Sequence, residues 1–177
     1  MNPSLYQKAL GAEYAALSPT LQRLHNGEAL HWQGEATVSW GRSKFARLLL
    51  RLARMPKQGK RVDCQVNFTP SDHGEYWCRL FAQHYMQSHQ ALRDGKLVES
   101  FGPIRLYLDN TVHAGGLIQR CAATRFLGLP LPSWLGVHVI AREWSVGTQM
   151  HFDVTIGLNS GLELLRYRGH LLPQAKG

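Results

Sequence analysis

Residues 150–158 read MHFDVTIGL, and apolar and polar side chains alternate along most of them. Phe152, Val154, Ile156 and Leu158 are each separated by one polar or small residue. An alternation with a period of two is typical of a β-strand that has one face in a core and one face in solvent. The stretch therefore predicts a half-buried strand.

Similar stretches recur along the chain, and turn signals such as Asp94-Gly95 separate them. We predict strands near residues 28–40, 62–69, 75–82, 85–92, 96–101, 104–109, 117–126, 137–146, 150–158 and 164–171. Turn signals every roughly 8–12 residues are the spacing of a sandwich or a barrel. Helical crossovers do not alternate with these strands, which argues against a parallel doubly wound sheet.

The first 27 residues have a helical pattern instead. Ser4 and Gln7 have the spacing of a capping box, and Pro19 follows Ser18 as the first residue of a second helix. We therefore predict one α+β domain over residues 1–177, mostly antiparallel β, as a curled meander sheet or a barrel. Its predicted parts are N-terminal helices at 1–27, the sheet at 28–171 with an amphipathic helical insert at 43–56, and a tail at 172–177.

The composition excludes an intrinsically disordered chain and locates the charge. Hydrophobic residues make up 44% of the 177 residues and charged residues 18%. The formal net charge is +8, yet eight basic residues and no acidic ones lie between Arg42 and Arg61. The rest of the chain contains 12 basic and 12 acidic residues, so the chain is a neutral domain with one basic insert.

The basic insert has the pattern of an amphipathic helix. Its cations Lys44, Arg47, Arg51 and Arg54 share one helical face. A neighbouring face holds Phe45, Leu48, Leu49, Leu52 and Met55, with Leu50 outside that stripe. The first interpretation is a helix that closes the open end of the sheet with its arginines solvated. The second is that the four cations bind an anionic membrane surface, which such a helix suits. Nucleic acid is disfavoured, because aromatic residues do not interleave with the cations.

A second candidate site lies near the C-terminus. Arg166 and Arg168 share one strand face, Tyr167 takes the other, and Glu143 lies among apolar neighbours. If the arginines faced a barrel interior, Glu143 would be their counter-charge. Such a cavity would bind an amphipathic molecule with an acidic head, and we take these four residues as candidate ligand-binding residues. The alternative is an arginine pair that faces solvent.

Catalytic and metal-binding patterns are weak. His151 and Asp153 share a strand face, where Asp153 could orient the imidazole as a general base, although a solvated ion pair explains them as well. The sequence contains no GxSxG, HExxH, P-loop or GxGxxG motif. Its three cysteines, Cys64, Cys78 and Cys121, form no CxxC pair. We therefore expect no cofactor and no metal.

The compartment signals favour the cytoplasm. The first residues lack a basic segment followed by an apolar one, so a secretory signal is not indicated. No run of ~18 apolar residues is present. Contact with the inner membrane through the basic insert is the alternative location.

Several phrases together resemble a bacterial family, the domain of unknown function 4166. They are Ser4-Leu5-Tyr6-Gln7 with Leu10-Gly11, Phe101-Gly102-Pro103, Gly128-Leu129-Pro130-Leu131-Pro132, Ala141-Arg142-Glu143, Phe152-Asp153-Val154 and Arg166-Tyr167-Arg168-Gly169. The resemblance covers nearly the whole chain and implies no assigned activity. It also implies that related modules stand beside nucleotide-binding oxidoreductase-like domains or membrane domains.

Three functional hypotheses follow. The first is a non-enzymatic binding module that holds a lipid-like or other apolar ligand and touches an anionic surface through the basic insert. The second is a protein-interaction or accessory domain that works with an oxidoreductase or a membrane partner. The third is an enzyme that uses Glu143 or the pair His151 and Asp153 in proton transfer.

Overall fold

The computed structural model describes residues 3–52 and 55–174. Its helices are α1 (Leu5–Leu10), a 3₁₀ helix (Gly11–Ala16), α2 (Pro19–Leu24), α3 (Lys44–Leu52) and a second 3₁₀ helix (Ser133–Leu135). Its strands are β1 (Leu30–Trp40), β2 (Gly59–Ser71), β3 (Gly74–Phe81), β4 (His84–Arg93), β5 (Lys96–Phe101), β6 (Ile104–His113), β7 (Gly116–Phe126), β8 (Leu129–Pro130), β9 (Val137–Val146), β10 (Gln149–Leu158) and β11 (Glu163–Pro173).

Ten of these strands form a closed antiparallel barrel. The ring runs β6-β5-β4-β3-β2-β1-β11-β10-β9-β7, and pairing of β7 with β6 closes it. The short strand β8 pairs with the end of β7 and lies outside the ring. The predicted α+β fold with a mostly antiparallel, barrel-like sheet is confirmed.

The alternating side chains place one face of each strand inside the barrel. Trp32, Ala36 and Val38 of β1 are buried, while Gln33 and Glu35 between them are exposed. The inward side chains fill most of the barrel interior, and closure of the ring leaves no free strand edge in it. The interior of the ring is therefore the main core of the molecule.

β1 and β11 approach each other unusually closely. A Cβ atom added to Gly34 would collide with the carbonyl oxygen of His170, and one added to Gly169 would collide with that of Glu35. Glycine at these two positions lets the backbones come together where the sheet curls.

The two ends of the barrel differ. At one end, which we call the N-helix end, the strand connections are covered by α1, the first 3₁₀ helix and α2. The backbone N–H of Ser18 donates to Gly115 O (2.9 Å), and Thr20 Oγ1 donates to Gly147 O (2.8 Å). The capping box at α1 is present, with Gln7 N donating to Ser4 Oγ (3.1 Å) and Ser4 N donating to Gln7 Oε1 (2.7 Å).

The opposite end, which we call the α3 end, contains the connections 41–58, 82–83, 102–103, 127–136 and 159–162. Helix α3 packs on the barrel through Ala46 and Leu50, which are 0% and 4% exposed. Leu50, expected outside the apolar stripe, is thus a buried anchor, because Ala46 and Leu50 lie one turn apart on the inward face. Phe45 and Leu48 remain 58% and 53% exposed. No helix within the described ranges is long and apolar enough to cross a bilayer.

Candidate functional site

A cavity of about 80 Å³ lies inside the barrel, between strands from both halves of the chain. Its wall is mostly apolar and includes Val66, Phe81, Leu108, Phe152, Val154 and Ile156. The lining continues to Phe101 and Val139, which are half-buried and lie toward the α3 end. The alternating strands therefore create an apolar chamber that reaches from the middle of the barrel toward its α3 end.

One part of the cavity wall is polar and formed by Arg79 and Glu99. Arg79 Nη2 donates to Glu99 Oε1 (3.0 Å), and Arg79 Nη1 donates to Ser88 Oγ (3.0 Å). Ser88 Oγ donates in turn to the same oxygen of Glu99 (2.6 Å). Burial by itself lowers the pKa of Arg79, but Glu99 and Tyr167 raise it above its ordinary value. The guanidinium is therefore charged and already bound to partners.

Glu143 lines the cavity, and its partner is a histidine at the end of the N-terminal helices. His25 Nε2 lies 2.7 Å from Glu143 Oε2, and the two side chains are 0% and 7% exposed. The imidazole stacks on the ring of Tyr6, with 3.8 Å between centroids. Tyr6 Oη donates to Gln90 Oε1 (2.9 Å). The N-terminal helices thus insert Tyr6 and His25 into one end of the barrel.

A third buried carboxyl group lies near this pair. Trp77 Nε1 donates to Glu75 Oε1 (2.8 Å), and burial raises the pKa of Glu75 above its ordinary value despite that hydrogen bond. Glu75, Glu99 and Glu143 therefore give the interior three carboxyl groups against the guanidinium of Arg79. A buried polar surface rich in acceptors favours a ligand that donates hydrogen bonds.

Tyr167 is buried and lines the cavity, whereas Arg166 and Arg168 lie on the outer face. Burial raises the pKa of Tyr167 to about 12. Arg166 Nε and Nη2 donate to the two oxygens of Asp153 (2.9 and 2.5 Å). Of the two arrangements that the sequence left open, the one with the arginines facing the interior beside Glu143 is not found. The arginine pair faces solvent, because Tyr167 shares the inward side of β11 with Leu165 and Leu171. An acidic head group held by Arg166 and Arg168 inside the barrel is excluded by this placement.

The pair His151 and Asp153 also lies on the outer face. Both oxygens of Asp153 accept hydrogen bonds from Arg166, which lowers the pKa of Asp153. His151 instead stacks on Trp144, with 5.5 Å between ring centroids. Burial and the nearby His170 lower the pKa of His151. Asp153 therefore orients Arg166 rather than the imidazole.

The candidate surface residues of α3 are exposed where the structure describes them. Lys44, Arg47 and Arg51 are exposed, and Arg47 Nε donates to Gly41 O (3.2 Å). Arg54, the fourth expected cation, lies outside the described residues. The cations share the outward side of α3 with Phe45 and Leu48.

Sequence reasoning missed Arg79, Glu99 and His25. A signal was present for two of them. Arg79 is in phase with Trp77 and Phe81, and Glu99 is in phase with Leu97 and Phe101. A charged residue at an inward position of an alternating strand indicates a buried polar group. His25 had no such signal, because its position depends on how the N-terminal helices enter the barrel.

Over the ranges that the structure describes, no group of three or more His, Cys, Asp or Glu could hold a metal ion. No curated protein matches the chain. A family model described as Domain of unknown function (DUF4166) matches residues 17–171, which include every strand except the last two residues of β11. The chain belongs to this family, the Domain of unknown function (DUF4166).

Proposed function

We propose that the barrel is a non-enzymatic binding module for a small apolar molecule whose polar group is a hydroxyl or an amine. The observation that supports this most is that apolar side chains and buried hydrogen-bond acceptors line the same cavity. Phe152, Val154 and Ile156 line the same cavity as Glu99 and Glu143. Ligand sites are commonly apolar with a few placed polar groups that fix orientation.

The charge of the interior selects the polar group of the ligand. Arg79 is already bound to Glu99 and Ser88, so a ligand carboxylate would have to displace one of them. It would also approach Glu143, at a cost in like-charge repulsion and desolvation. A hydroxyl or an amine can donate to a carboxylate oxygen without like-charge repulsion.

The size of the cavity limits how the ligand is held. The cavity volume of about 80 Å³ is below the roughly 300–1,000 Å³ of typical ligand pockets. A ligand would therefore place its polar group and first carbons in the chamber. Its remaining carbons would run along Phe101 and Val139 toward the α3 end.

The test is a titration with N-phenyl-1-naphthylamine, a neutral apolar amine whose fluorescence rises in apolar sites. We expect saturable binding that decanol and decylamine displace at lower concentration than decanoate does. Equal or better displacement by decanoate would contradict the proposed head-group preference. Protein purified without detergent should also carry a molecule of this class in native mass spectrometry.

A matched pair of variants locates the probe. Ala141 lines the cavity, whereas Ala123 is exposed. Ala141→Phe should abolish probe binding by filling the chamber, and Ala123→Phe should leave it unchanged. Urea unfolding would show that both variants are folded. Probe binding to a folded Ala141→Phe variant at the unaltered affinity would place the site elsewhere and overturn the proposal.

The enzyme hypothesis receives less support from the geometry. His151 and Asp153 face outward, and Asp153 is bound to Arg166. Glu143 reaches the cavity, but its partner His25 is fully buried, stacks on Tyr6 and has its ring centroid 5.8 Å from that of Trp77. A general base must reach the proton that it abstracts, which favours a binding role for the described interior.

A further inference from the structure

We propose that the α3 end of the barrel docks on an anionic lipid bilayer, through α3 on one side of the rim and residues 127–136 on the other. This inference adds a partner to the proposed function and does not depend on the cavity holding a ligand. This end combines exposed apolar side chains, a backbone held by hydrogen bonds and an excess of positive charge.

The exposed side of α3 carries both cations and large apolar groups. Lys44, Arg47 and Arg51 lie beside Phe45 and Leu48, and all five are exposed. The helix cannot bury Phe45 and Leu48 against the barrel, because Ala46 and Leu50 already occupy the inward face. Large apolar side chains next to cations on one helix face are typical of helices that lie in a membrane interface.

The connection between β7 and β9 supplies a second apolar surface. Leu127, Leu129 and Trp134 are 71%, 72% and 64% exposed. β11 and β10 separate β1 from β9 in the ring, so this connection stands across the rim from α3. Trp is enriched at membrane interfaces, where its ring can be half apolar and half hydrated. Two apolar surfaces thus flank the same end of the barrel.

The second surface is held by hydrogen bonds to neighbouring connections. Leu127 N donates to Pro103 O (2.9 Å), and Asn159 Nδ2 donates to Ser133 O (2.8 Å). Leu129 belongs to β8, which pairs with the end of β7. The exposed side chains are therefore presented by an ordered backbone, which reduces the entropy lost on docking.

The charge of this end fits an anionic surface. Its five connections contain six basic residues and no acidic residue: Arg42, Lys44, Arg47, Arg51, Arg54 and Lys57. The segments outside the strands at the N-helix end contain four acidic residues, Glu13, Glu28, Asp72 and Asp94, against Lys8 and Arg23, and the tail that follows β11 adds Lys176. The barrel is thus electrically polarised along its axis, and an anionic bilayer would attract the α3 end.

A bilayer explains these features better than a nucleic acid does. Phosphates would pair with the cations of α3, but Leu127 and Leu129 would stay in water. The described rim also lacks the row of aromatic side chains on which unpaired bases stack. A bilayer offers anionic head groups for the cations and an acyl boundary for the leucines.

The test is co-sedimentation of the full chain with vesicles of equal parts phosphatidylcholine and phosphatidylglycerol. Phosphatidylcholine vesicles and mixed-sequence DNA and RNA serve as the other arms. We expect binding to the anionic vesicles that weakens with salt, and much weaker binding to the others. Absence of binding to the anionic vesicles, or tighter binding to DNA or RNA, would overturn the proposal.

Charge variants test the contribution of α3. Arg47→Gln with Arg51→Gln should weaken vesicle partitioning about 30-fold, the loss expected for two cations near an anionic surface. Lys8→Gln with Arg23→Gln removes the same charge from exposed residues of the N-helix end and should change partitioning far less. Equal losses in the two double variants would mean non-directional attraction and would overturn the orientation that we propose.

Apolar variants test the opposite side of the rim. Leu129→Ser with Trp134→Ala should reduce partitioning about 10-fold or more. Val146→Ser, which changes an exposed valine at the N-helix end, should have no effect. Bromine-labelled lipid should quench part of the tryptophan fluorescence of the unaltered chain. This quenching should be absent in Trp134→Phe, because it comes from Trp134. An unquenched Trp134 in vesicle-bound protein would exclude docking through residues 127–136.

The two proposals fail separately. The Arg47→Gln, Arg51→Gln variant should bind N-phenyl-1-naphthylamine in solution as the unaltered chain does, because neither arginine lines the cavity. Ala141→Phe should still partition onto anionic vesicles. Loss of vesicle binding in a folded Ala141→Phe variant would show that the rim does not act by itself and would overturn this inference.

Discussion

His25 Nε2 lies 2.7 Å from Glu143 Oε2, and this contact joins the end of the N-terminal helices to strand β9 of the barrel. Both side chains are buried, and Tyr6 stacks on the imidazole. The N-terminal helices therefore do more than cover one end of the barrel. They supply the polar partner that the buried carboxylate of Glu143 requires.

His25→Ala should lower the free energy of unfolding by about 3 kcal/mol, because it leaves the Glu143 carboxylate buried without its partner. Glu143→Gln should cost less, since a neutral amide is cheaper to bury and can still bond to His25. The double variant His25→Ala with Glu143→Leu should recover part of the loss. Urea unfolding of the three variants checks this order, and a loss below about 1 kcal/mol for His25→Ala would contradict it.

The pH dependence of stability should change in Glu75→Gln. Burial raises the pKa of Glu75 in the folded protein above the ordinary value of 4.5. Its protonated form therefore stabilises the fold fully below that value, and this contribution is lost as the pH rises through the raised pKa. A glutamine stays neutral and can still accept the hydrogen bond from Trp77.

The measurement is the urea midpoint of both proteins across that pH range. The advantage of Glu75→Gln over the unaltered chain should be smallest below pH 4.5 and should grow as the pH rises. The same difference at low and neutral pH would show that Glu75 titrates as an unburied glutamate does.

Arg166→Ala with Arg168→Ala should leave binding of the cavity probe unchanged, because both arginines lie outside the barrel. Loss of the exposed pair with Asp153 should cost at most about 1 kcal/mol of unfolding free energy, and less at high salt. Arg166 lowers the pKa of Asp153, so the pair stabilises the fold above the usual aspartate value of 3.8 and loses its effect as the pH falls through the lowered pKa. Weaker probe binding in this variant would contradict the prediction and show that the arginines contribute to the binding site.

Gly169→Ala should lower the free energy of unfolding by about 3 kcal/mol, because the new methyl group would collide with the carbonyl oxygen of Glu35. Gly34→Ala should act similarly against His170 on the same pair of strands. Ser39→Ala changes an exposed side chain of β1 and serves as the control. Thermal unfolding that is unchanged in Gly169→Ala would mean that the strands can separate at no cost.

Local patterns carried most of the fold prediction. The alternation in residues 150–158 and its counterparts predicted every strand of the barrel ring, because a period of two depends on neighbouring residues alone. Turn signals such as Asp94-Gly95 predicted the hairpins for the same reason. The positions of the cations on α3 likewise follow from helical spacing.

The candidate site was less predictable, because the sequence does not say which face of a strand is inside. On β11 the order Arg166-Tyr167-Arg168 allows either face to turn inward, since arginine and tyrosine both have apolar and polar parts. Tyr167 turns inward because it lies on the same side of β11 as Leu165 and Leu171, which are buried. On α3 the broad apolar surface did not indicate that Ala46 and Leu50, rather than Phe45 and Leu48, would contact the barrel.

The sequence by itself determined where the strands and turns lie, that the sheet is antiparallel, and that the excess charge falls between Arg42 and Arg61. These are properties of short segments, set by side-chain periodicity and turn chemistry. Only the tertiary structure decided that β6 and β7 close a ring, that Glu143 meets His25, and that α3 shares one end with Leu127 and Trp134. Each of these joins residues far apart in the chain, and their contacts depend on how the sheet curls and which side chains it encloses.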